Sequence, residues 1–321
     1  MKGIEILGYG YAKAEHRITN DDLEKIVDTS DEWIVARTGI SSRYVSENKN
    51  TSDLAYEAAI KAIGNAGIDS SEISLIVVAT ITPDKFTPST ASIIQEKLNL
   101  NQPMMAFDIN AACSGYVYAL EIASKMIDIG ETALVIGAET LSKILDYSDR
   151  NTCILFGDGA GASIIKKTGT DKSIEFHSRS VPDVNHVLFA NGVSQSTPLT
   201  NDSKDYGYLE MNGKEVFRFA IKVMQESIES LLNQIDKSID EIDLIIPHQA
   251  NIRIISHVAR KLKVDIEKFY TNLHEYGNTS AASIAMALAC ANEEGILREG
   301  MKIIIVGFGA GLTYGASYIE L

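Results

Sequence analysis

The sequence is poor in the residues that mark several protein classes. Its 321 residues include three cysteines, Cys113, Cys153 and Cys290, which are too few and too scattered for a disulfide framework or a zinc site. No apolar run approaches the roughly 20 residues that span a bilayer, and the N-terminal residues lack the apolar stretch of a signal peptide. We therefore expect a soluble cytoplasmic protein with free thiols and neither a metal ion nor a membrane contact.

Positive charge is also scarce. The chain has 29 Lys and Arg against 43 Asp and Glu, a formal net charge of −14, which disfavours binding to the phosphate backbone of nucleic acid. Hydrophobic residues make up 45% of the chain, which is enough for one large core or two ordinary ones. We expect two halves, residues 1–170 and 171–321.

Short runs of branched apolar residues indicate strands buried on both faces, and they alternate with helical patterns. The runs are "LIVVATI" from Leu75, "TALVIGA" from Thr132, "CILFG" from Cys153, "LIIPH" from Leu244 and "KIIIVG" from Lys302. Among the helical stretches, residues 50–67 open with cap residues and close at Gly67. The chain is therefore predicted to be α/β. The polar segment 168–210 is interpreted as loop and short strands at the junction of the halves.

The order of elements repeats along the chain. The segment "SSEISLIVVAT" (70–80) is similar to "IDEIDLIIPHQ" (239–249), and Glu72 aligns with Glu241 at an offset of 241 − 72 = 169. Later matches at similar offsets set Cys113 opposite Asn278. The pattern predicts two similar halves about a pseudo-twofold axis whose equivalent loops meet. Chance similarity between short apolar strands is the alternative.

Cys113 lies where strand-like sequence changes to an apolar helical segment, in "NAACSGYVYAL". A thiol at a helix entrance meets free N–H groups and the helix dipole, so we expect a lowered pKa and a nucleophilic thiolate. A buried cysteine can instead be a small apolar filler, which is our interpretation of Cys153 and Cys290.

His248 ends the run "DLIIPH", at the edge of the sheet where ligands bind in parallel α/β folds, and Asn278 lies in the turn "YGNTS". We expect both side chains to converge on Cys113. The remaining histidines lie among polar or charged neighbours and are interpreted as solvated or structural: His16, His177, His186, His257 and His274.

A Cys, His and Asn set in this order fits two chemistries. In a papain-like hydrolase the histidine is the base for the cysteine, but the local signature of that class is absent here. In the other chemistry the cysteine carries an acyl group as a thioester, and neutral His and Asn donate hydrogen bonds to an enolate oxygen.

The motifs "AACSG", "PHQANIRI", "YGNTSAAS", "FGDGAGA" and "LTYGA" together resemble the thiolase superfamily. Within it, the chain resembles the β-ketoacyl-acyl carrier protein synthase III family from Met1 to Leu321. The resemblance implies a thiolase-like fold layered αβαβα. It also implies a decarboxylative Claisen condensation of a short acyl-coenzyme A with malonyl-acyl carrier protein, which initiates fatty-acid synthesis without any cofactor beyond the coenzyme A thioester itself.

The resemblance also implies site residues. The oxyanion hole would be formed by the N–H groups of Cys113 and Ala310, where the family usually has glycine. The same terminal turn is similar to a dinucleotide fingerprint, but too few residues follow Gly311 for the helix and strand that such a site needs. Coenzyme A would contact Thr29, Trp33, Arg37, Arg150, Asn212, Gly213 and Phe217.

Further implied residues concern the pocket and the partners. Phe308 would lie near the catalytic pair, and Phe86 would enter the pocket of a neighbouring subunit in the expected homodimer. Basic residues at helical spacing would dock an acidic acyl carrier protein, or would simply form solvated helix faces. They are Lys214, Arg218 and Lys222 on one helix and Arg253, Arg260, Lys261 and Lys263 on and just after the helix that follows His248.

Three alternatives remain at this point. A relative on the same fold could act as an acyltransferase or condensing enzyme of secondary metabolism. A hydrolase could use the same three residues, and a non-catalytic protein could bind thioesters with an inert thiol.

Overall fold

The computed structural model describes residues 3–194, 197, 199 and 207–321. Its strands are β1 (Ile4–Lys13), β2 (His16–Thr19), β3 (Ser42–Val45), β4 (Ile73–Ala79), β5 (Met105–Ile109), β6 (Thr132–Glu139), β7 (Gly159–Lys167), β8 (Ile174–Ser180), β9 (Leu188–Ala190), β10 (Leu209–Met211), β11 (Leu244–Pro247), β12 (Lys302–Gly309) and β13 (Thr313–Glu320). Its α-helices are α1 (Asn20–Leu23), α2 (Asp31–Thr38), α3 (Thr51–Ala66), α4 (Thr90–Lys97), α5 (Gly115–Met126), α6 (Arg150–Cys153), α7 (Gly213–Ile235), α8 (Ile252–Leu262), α9 (Leu273–Tyr276) and α10 (Ala282–Glu293).

Two mixed sheets form the core. The first has the order β1-β7-β6-β4-β5 and the second the order β11-β12-β13-β8. Helices α5 and α10 pack between the sheets, α3 and α4 cover the outer face of the first, and α7 and α8 cover the outer face of the second. The result is the five-layered αβαβα arrangement of the thiolase-like fold, as predicted.

The two sheets repeat one topology. In each, two parallel strands (β4 and β6, or β11 and β12) are followed by an antiparallel strand (β7 or β13) and then by the strand that opens the half (β1 or β8). Both parallel segments are preceded by a 3-10 turn with a capping box, closed by Glu72 in one half and Glu241 in the other. The offset of 169 residues between these glutamates is therefore a structural equivalence.

The strands of the first sheet end at Lys167 and those of the second begin at Ile174, on either side of the expected boundary at 170. Helix α10, however, packs on β7 and β1 as well as on its own half. The division at residue 170 stays a prediction about domains. Across the described ranges, no helix is both long and apolar enough to cross a membrane.

Most sequence-predicted elements are confirmed, and one is wrong. Helix α3 runs between its predicted caps, Asn50 and Gly67. The run "CILFG" from Cys153 is not a strand: Cys153 ends the short helix α6, and Phe156 makes a single bridge to Asn278. Hydrophobic continuity alone cannot separate a buried strand from a buried turn. The polar segment 168–210 also contains more order than predicted, because β8 is a full strand of the second sheet.

Candidate active site

Cys113 lies in a tight turn between β5 and the central helix α5. The turn spans Ala112–Ser114, Ala112 takes a φ of 45°, and the Cys113 side chain is buried. Gly309 at the end of β12 packs directly on this turn, since a Cβ there would lie 2.6 Å from the Cys113 nitrogen. The absence of a side chain at Gly309 thus lets the terminal turn approach Cys113 closely.

The expected lowering of the pKa of Cys113 is wrong for the free protein. Burial raises the pKa of the thiol to about 12, the Ser280 hydroxyl opposes this rise, and the negative charge of Glu139 adds to it. Removal from water disfavours the thiolate more than the start of α5 stabilises it. In the free protein the thiol is therefore protonated at neutral pH.

His248 follows the end of β11 and is 2% exposed. Its backbone N–H donates to the Val306 carbonyl at 2.7 Å, and its Nδ1 lies 2.7 Å from the Ser283 hydroxyl. Burial lowers the pKa of His248 to about 3, so the imidazole is neutral. With the Ser283 hydroxyl donating to Nδ1, the ring proton is on Nε2, which we assign as the donor facing the cavity.

Asn278 is held by its backbone and by its own side-chain oxygen. Its N–H donates to the Leu155 carbonyl at 2.8 Å, and its carbonyl accepts from Gly157 N–H at 3.0 Å. Oδ1 accepts from the Ser280 backbone N–H at 2.9 Å. Because the oxygen is engaged, the Nδ2 amide group of Asn278 is left to donate into the site.

The three predicted residues, Cys113, His248 and Asn278, line one cavity of about 160 Å³. Phe308 closes it beside the histidine, with the two rings 5.2 Å apart and nearly perpendicular. The rest of the wall is largely apolar and includes Ile81, Leu141, Leu155, Phe156, Leu188, Leu209 and Met211. A thiol and two neutral donors thus face a small apolar space that suits a short acyl group.

The residue of the second half that is structurally equivalent to Cys113 differs from the one that the sequence repeat suggested. Ala112 and Ser280 share the rare positive φ, 45° and 49°, just before α5 and α10. The backbone equivalent of Cys113 is therefore Ala281, and Asn278 lies three residues earlier. Short glycine- and alanine-rich matches do not fix a register to within three residues.

An open cleft outside the cavity gathers most of the residues implied for coenzyme A. It is lined by Trp33, Arg37, Asn212, Gly213 and Phe217. The guanidinium groups of Arg37 and Arg150 lie 4.6 and 5.1 Å from the centre of the Trp33 ring. An indole beside guanidinium groups is able to stack on a planar base.

Two members of that set are outside the cleft lining. Arg150 donates to the Asp28 carbonyl at 2.7 Å, so its contact with the cleft is through Trp33. The Thr29 hydroxyl is buried without a hydrogen-bond partner in the described part of the chain.

The basic residues implied for carrier-protein docking do not all lie together. Lys214, Arg218 and Arg253 line the cleft, and Arg253 lies over the Phe217 ring at 5.8 Å. Lys261 and Lys263, at the far end of α8, line a separate surface depression with Lys237. Arg260 contacts its own helix at Ser256, and Lys222 pairs with Glu226 one turn along α7. Of these residues, only Lys214, Arg218 and Arg253 lie at the mouth of the site.

Phe86 is 81% exposed and lines an open groove next to the cavity, not the cavity itself. Ala310 lines both. Ala310 directly follows Gly309, which packs on the Cys113 turn, and the role of its N–H in an oxyanion hole stays a prediction.

Sequence reasoning missed three polar residues around the site: Glu139, Ser280 and Ser283. A partner such as Ser283 could have been expected, because a buried neutral histidine needs a hydrogen-bond partner on its second ring nitrogen. Glu139 and Ser280 carry no such signal, since nothing in "GAET" or "NTSAAS" indicates that β6 passes behind the cysteine. No cluster of His, Cys, Asp and Glu that could hold a metal ion occurs in the ranges the structure describes.

Comparison with known proteins identifies the family. Residues 107–182 match the family model described as 3-oxoacyl-[acyl-carrier-protein (ACP)] synthase III, and residues 232–321 match the model of its C-terminal part. The β-ketoacyl-[acyl-carrier-protein] synthase III of Clostridium perfringens is 48% identical over the whole of both chains. That of Clostridium acetobutylicum is 47% identical over 100% of this chain and 99% of its own.

A solved structure agrees. The crystal structure of 3-oxoacyl-[acyl-carrier-protein] synthase III from Aquifex aeolicus superposes with a TM-score of 0.92 at 41% identity, covering 99% of this chain and 100% of the other. Sequence, fold and site geometry agree: the chain belongs to the β-ketoacyl-acyl carrier protein synthase III family of condensing enzymes.

Proposed function

We propose that this chain condenses a short acyl-coenzyme A with malonyl-acyl carrier protein, using Cys113 as nucleophile and His248 with Asn278 as hydrogen-bond donors. The product is a β-ketoacyl-acyl carrier protein, and the condensation that forms it is the first step of fatty-acid synthesis. The observation that carries the assignment of residues is the shared cavity, in which one thiol faces two neutral donors.

In the first step the Cys113 sulfur attacks the thioester carbonyl, and coenzyme A leaves as its thiolate. The N–H groups of Cys113 and Ala310 would stabilise the tetrahedral oxyanion. A donor of this kind is typically worth about 3 to 4 kcal/mol in the transition state. Trp33, Arg37 and the start of α7 would hold the nucleotide and pantetheine parts of coenzyme A in the outer cleft.

In the second step malonyl-acyl carrier protein loses CO2, and negative charge develops on the thioester oxygen. His248 Nε2–H and Asn278 Nδ2–H would donate to that oxygen. A neutral imidazole suits this task, because it donates without transferring its proton at neutral pH. The carbanion attacks acyl-Cys113 and releases the cysteine thiolate. No step calls for a metal ion or redox cofactor.

The division of roles is testable with radiolabelled acetyl-coenzyme A and with release of CO2 from malonyl-acyl carrier protein. Cys113→Ala should abolish labelling of the protein, and the matched variant Cys290→Ala should retain it. His248→Ala and Asn278→Ala should be labelled normally yet decarboxylate at least 100-fold more slowly. Equal loss of both activities in the second pair would contradict the proposed roles.

If the same three residues acted as a hydrolase, the fate of the acyl-enzyme would differ. Acyl-Cys113 would be released by water at the catalytic rate without malonyl-acyl carrier protein. The apolar lining of the cavity argues against a well-placed water at the thioester. Mass spectrometry of the isolated acyl-enzyme over time separates the two reactions.

We further propose a cytoplasmic homodimer formed along β5. This strand ends the order of the first sheet, and Met105 on it is 58% exposed. Phe86, 81% exposed, belongs to the same side of the molecule. A bare edge strand beside exposed apolar groups is commonly covered by a partner. Light scattering should give twice the chain mass of 35.0 kDa, and Met105→Lys should shift the protein toward monomer.

A further inference from the structure

A buried carboxylate, Glu139, lies at the end of β6 behind the nucleophile, and the mechanism above gives it no role. It is 0% exposed. Burial raises its pKa to about 7, against the opposing effect of nearby hydroxyl and N–H donors. A carboxyl that is half ionised near neutral pH is costly to bury and is equipped to exchange a proton.

The carboxylate is held from one side only. Its Oε2 accepts from the Thr82 hydroxyl at 2.6 Å, the Ile81 N–H at 3.1 Å and the Thr80 hydroxyl at 3.2 Å. Its Oε1 has one long contact in the described residues, with Ile81 N–H at 3.3 Å. One oxygen is therefore fixed, and the other has lone pairs free for a further donor.

Ser280 lies in the turn that packs against β6. The backbone of the next residue, Ala281, passes between two glycines: a Cβ on Gly137 would lie 2.2 Å from the Ala281 carbonyl oxygen, and a Cβ on Gly115 would lie 3.3 Å from the Ala281 Cβ. Gly137 is two residues before Glu139, and Gly115 is two residues after Cys113. The residue after Ser280 therefore packs both against the strand that carries Glu139 and against the start of the helix that follows Cys113.

The Ser280 side chain has the properties of a bridge. Its hydroxyl is fully buried, lines the cavity with Cys113, and within the described residues meets no partner at hydrogen-bond distance and angle. It also lowers the pKa of both Cys113 and Glu139, so it stabilises both anions. Its backbone is fixed at a φ of 49° by the bond from its N–H to Asn278 Oδ1.

We propose that Glu139, acting through the Ser280 hydroxyl, accepts the proton of Cys113 during acyl transfer and returns it after condensation. The Sγ proton moves to Ser280 Oγ as the Ser280 proton moves to Glu139, and the sulfur electron pair forms the new C–S bond. Coenzyme A leaves as a thiolate and takes a proton from solvent. When the carbanion displaces Cys113, the released thiolate recovers its proton by the same path, so the cycle consumes one proton overall, taken from solvent.

Because it acts through Ser280, Glu139 is a positioning residue, and the inference rests on the proposed function. The other titratable groups that face it in the described chain are the Cys113 thiol and the Lys143 ammonium, which follows β6. Neutral His248 lines the same cavity. Lys143 is kept in every variant below, so its charge does not distinguish them.

The test is the single-turnover rate of Cys113 acetylation from acetyl-coenzyme A, followed across pH. In the unchanged chain the rate should rise with pH and level off above about 7, as Glu139 ionises. Glu139→Gln and Ser280→Ala should each lower the rate at pH 7 about 100-fold. In both variants the pH range over which the rate rises should shift upward, toward the pH at which the thiol itself ionises. Glu139→Asp should keep that range near neutrality, and the surface control Glu267→Gln should match the unchanged chain.

An unchanged rate and an unchanged pH range in Glu139→Gln would overturn the inference. Should that variant fail to fold, as judged by circular dichroism, Ser280→Ala decides by the same criterion, because it leaves the bonds between Glu139 and residues 80–82 in place. Failure of the unchanged chain and of Glu267→Gln to acetylate Cys113 would instead contradict the proposed function itself.

Discussion

At the scale of single residues, function depends on which atom of each side chain is already engaged. Asn278 has its oxygen bound by Ser280 N–H, and His248 has Nδ1 beside Ser283. In both cases the partner leaves a donor directed at the cavity. The residue types were predictable from the sequence, but the ring nitrogen of His248 that donates was not, because Ser283 lies on α10, 35 residues along the chain.

The Ser283 hydroxyl is expected to set the tautomer of His248. Ser283→Ala should reduce decarboxylation of malonyl-acyl carrier protein about tenfold, since the ring proton is no longer confined to Nε2. Acetylation of Cys113 should be unchanged. Ser283→Thr, which keeps the hydroxyl, should restore most of the rate. Equal loss in both variants would mean that Ser283 only fills space.

Buried His248 should also affect stability. Its pKa falls from 6.5 in the unfolded chain to about 3 in the folded one, so only the unfolded chain binds this proton between those values. The stability contributed by the neutral ring is present above pH 6.5 and is lost as pH falls through that range, by about 1.4 kcal/mol per pH unit. In urea unfolding, the free energy of unfolding should fall more steeply with decreasing pH for the unchanged chain than for His248→Gln. Identical slopes would mean that the imidazole is not buried neutral.

At the scale of elements, the site depends on close backbone packing. The turn before α10 fits against β6 only because residue 137 has no side chain. Gly137→Ala should reduce the free energy of unfolding by about 2 to 3 kcal/mol and should also impair acetylation, because it displaces Ser280.

The matched control is Gly64→Ala, at a helical position of α3 with open space around it. It should raise the free energy of unfolding by about 0.5 to 1 kcal/mol. Thermal or urea unfolding of both variants checks the pair. Equal effects would show that the contact at Gly137 is not tight.

The sequence predicted elements best where local chemistry decides them. Helix α3 is bounded by local signals, the cap residues 50–52 at its start and Gly67 at its end, and the sequence predicted both ends. The strand predicted from Cys153 was wrong because the conformation of this segment is set by the bridge from Phe156 to Asn278, more than a hundred residues away. The predicted lowering of the Cys113 pKa was wrong because burial in the folded chain outweighs the effect of the nearby helix start.

At the scale of the whole molecule, charge is distributed unevenly. The chain carries a net charge of −14, yet Lys214, Arg218 and Arg253 gather at the cleft. Arg253→Glu should raise KM for malonyl-acyl carrier protein about tenfold, with the effect shrinking in high salt. Lys261→Glu, on the same helix but at a separate depression, should leave KM near its original value. Equal effects would mean that net charge, not position, governs docking.

The fold itself was largely accessible from the sequence, because two halves with one topology leave a repeat in the order of strands and helices. The meeting point of the halves was predictable in kind but not in register, as the equivalence of Cys113 with Ala281 shows. In the proposed mechanism, a buried thiol from the first half and two donors from the second act on one small substrate.

The most direct measurement is a chase of the isolated acyl-enzyme, followed by mass spectrometry of peptides and carrier protein. Acetyl-coenzyme A should place one acetyl group on the Cys113 peptide, and malonyl-acyl carrier protein should then remove it as acetoacetyl-acyl carrier protein. Acetylation of Cys153 or Cys290 in its place, or loss of the acetyl group from Cys113 as free acetate, would contradict this account.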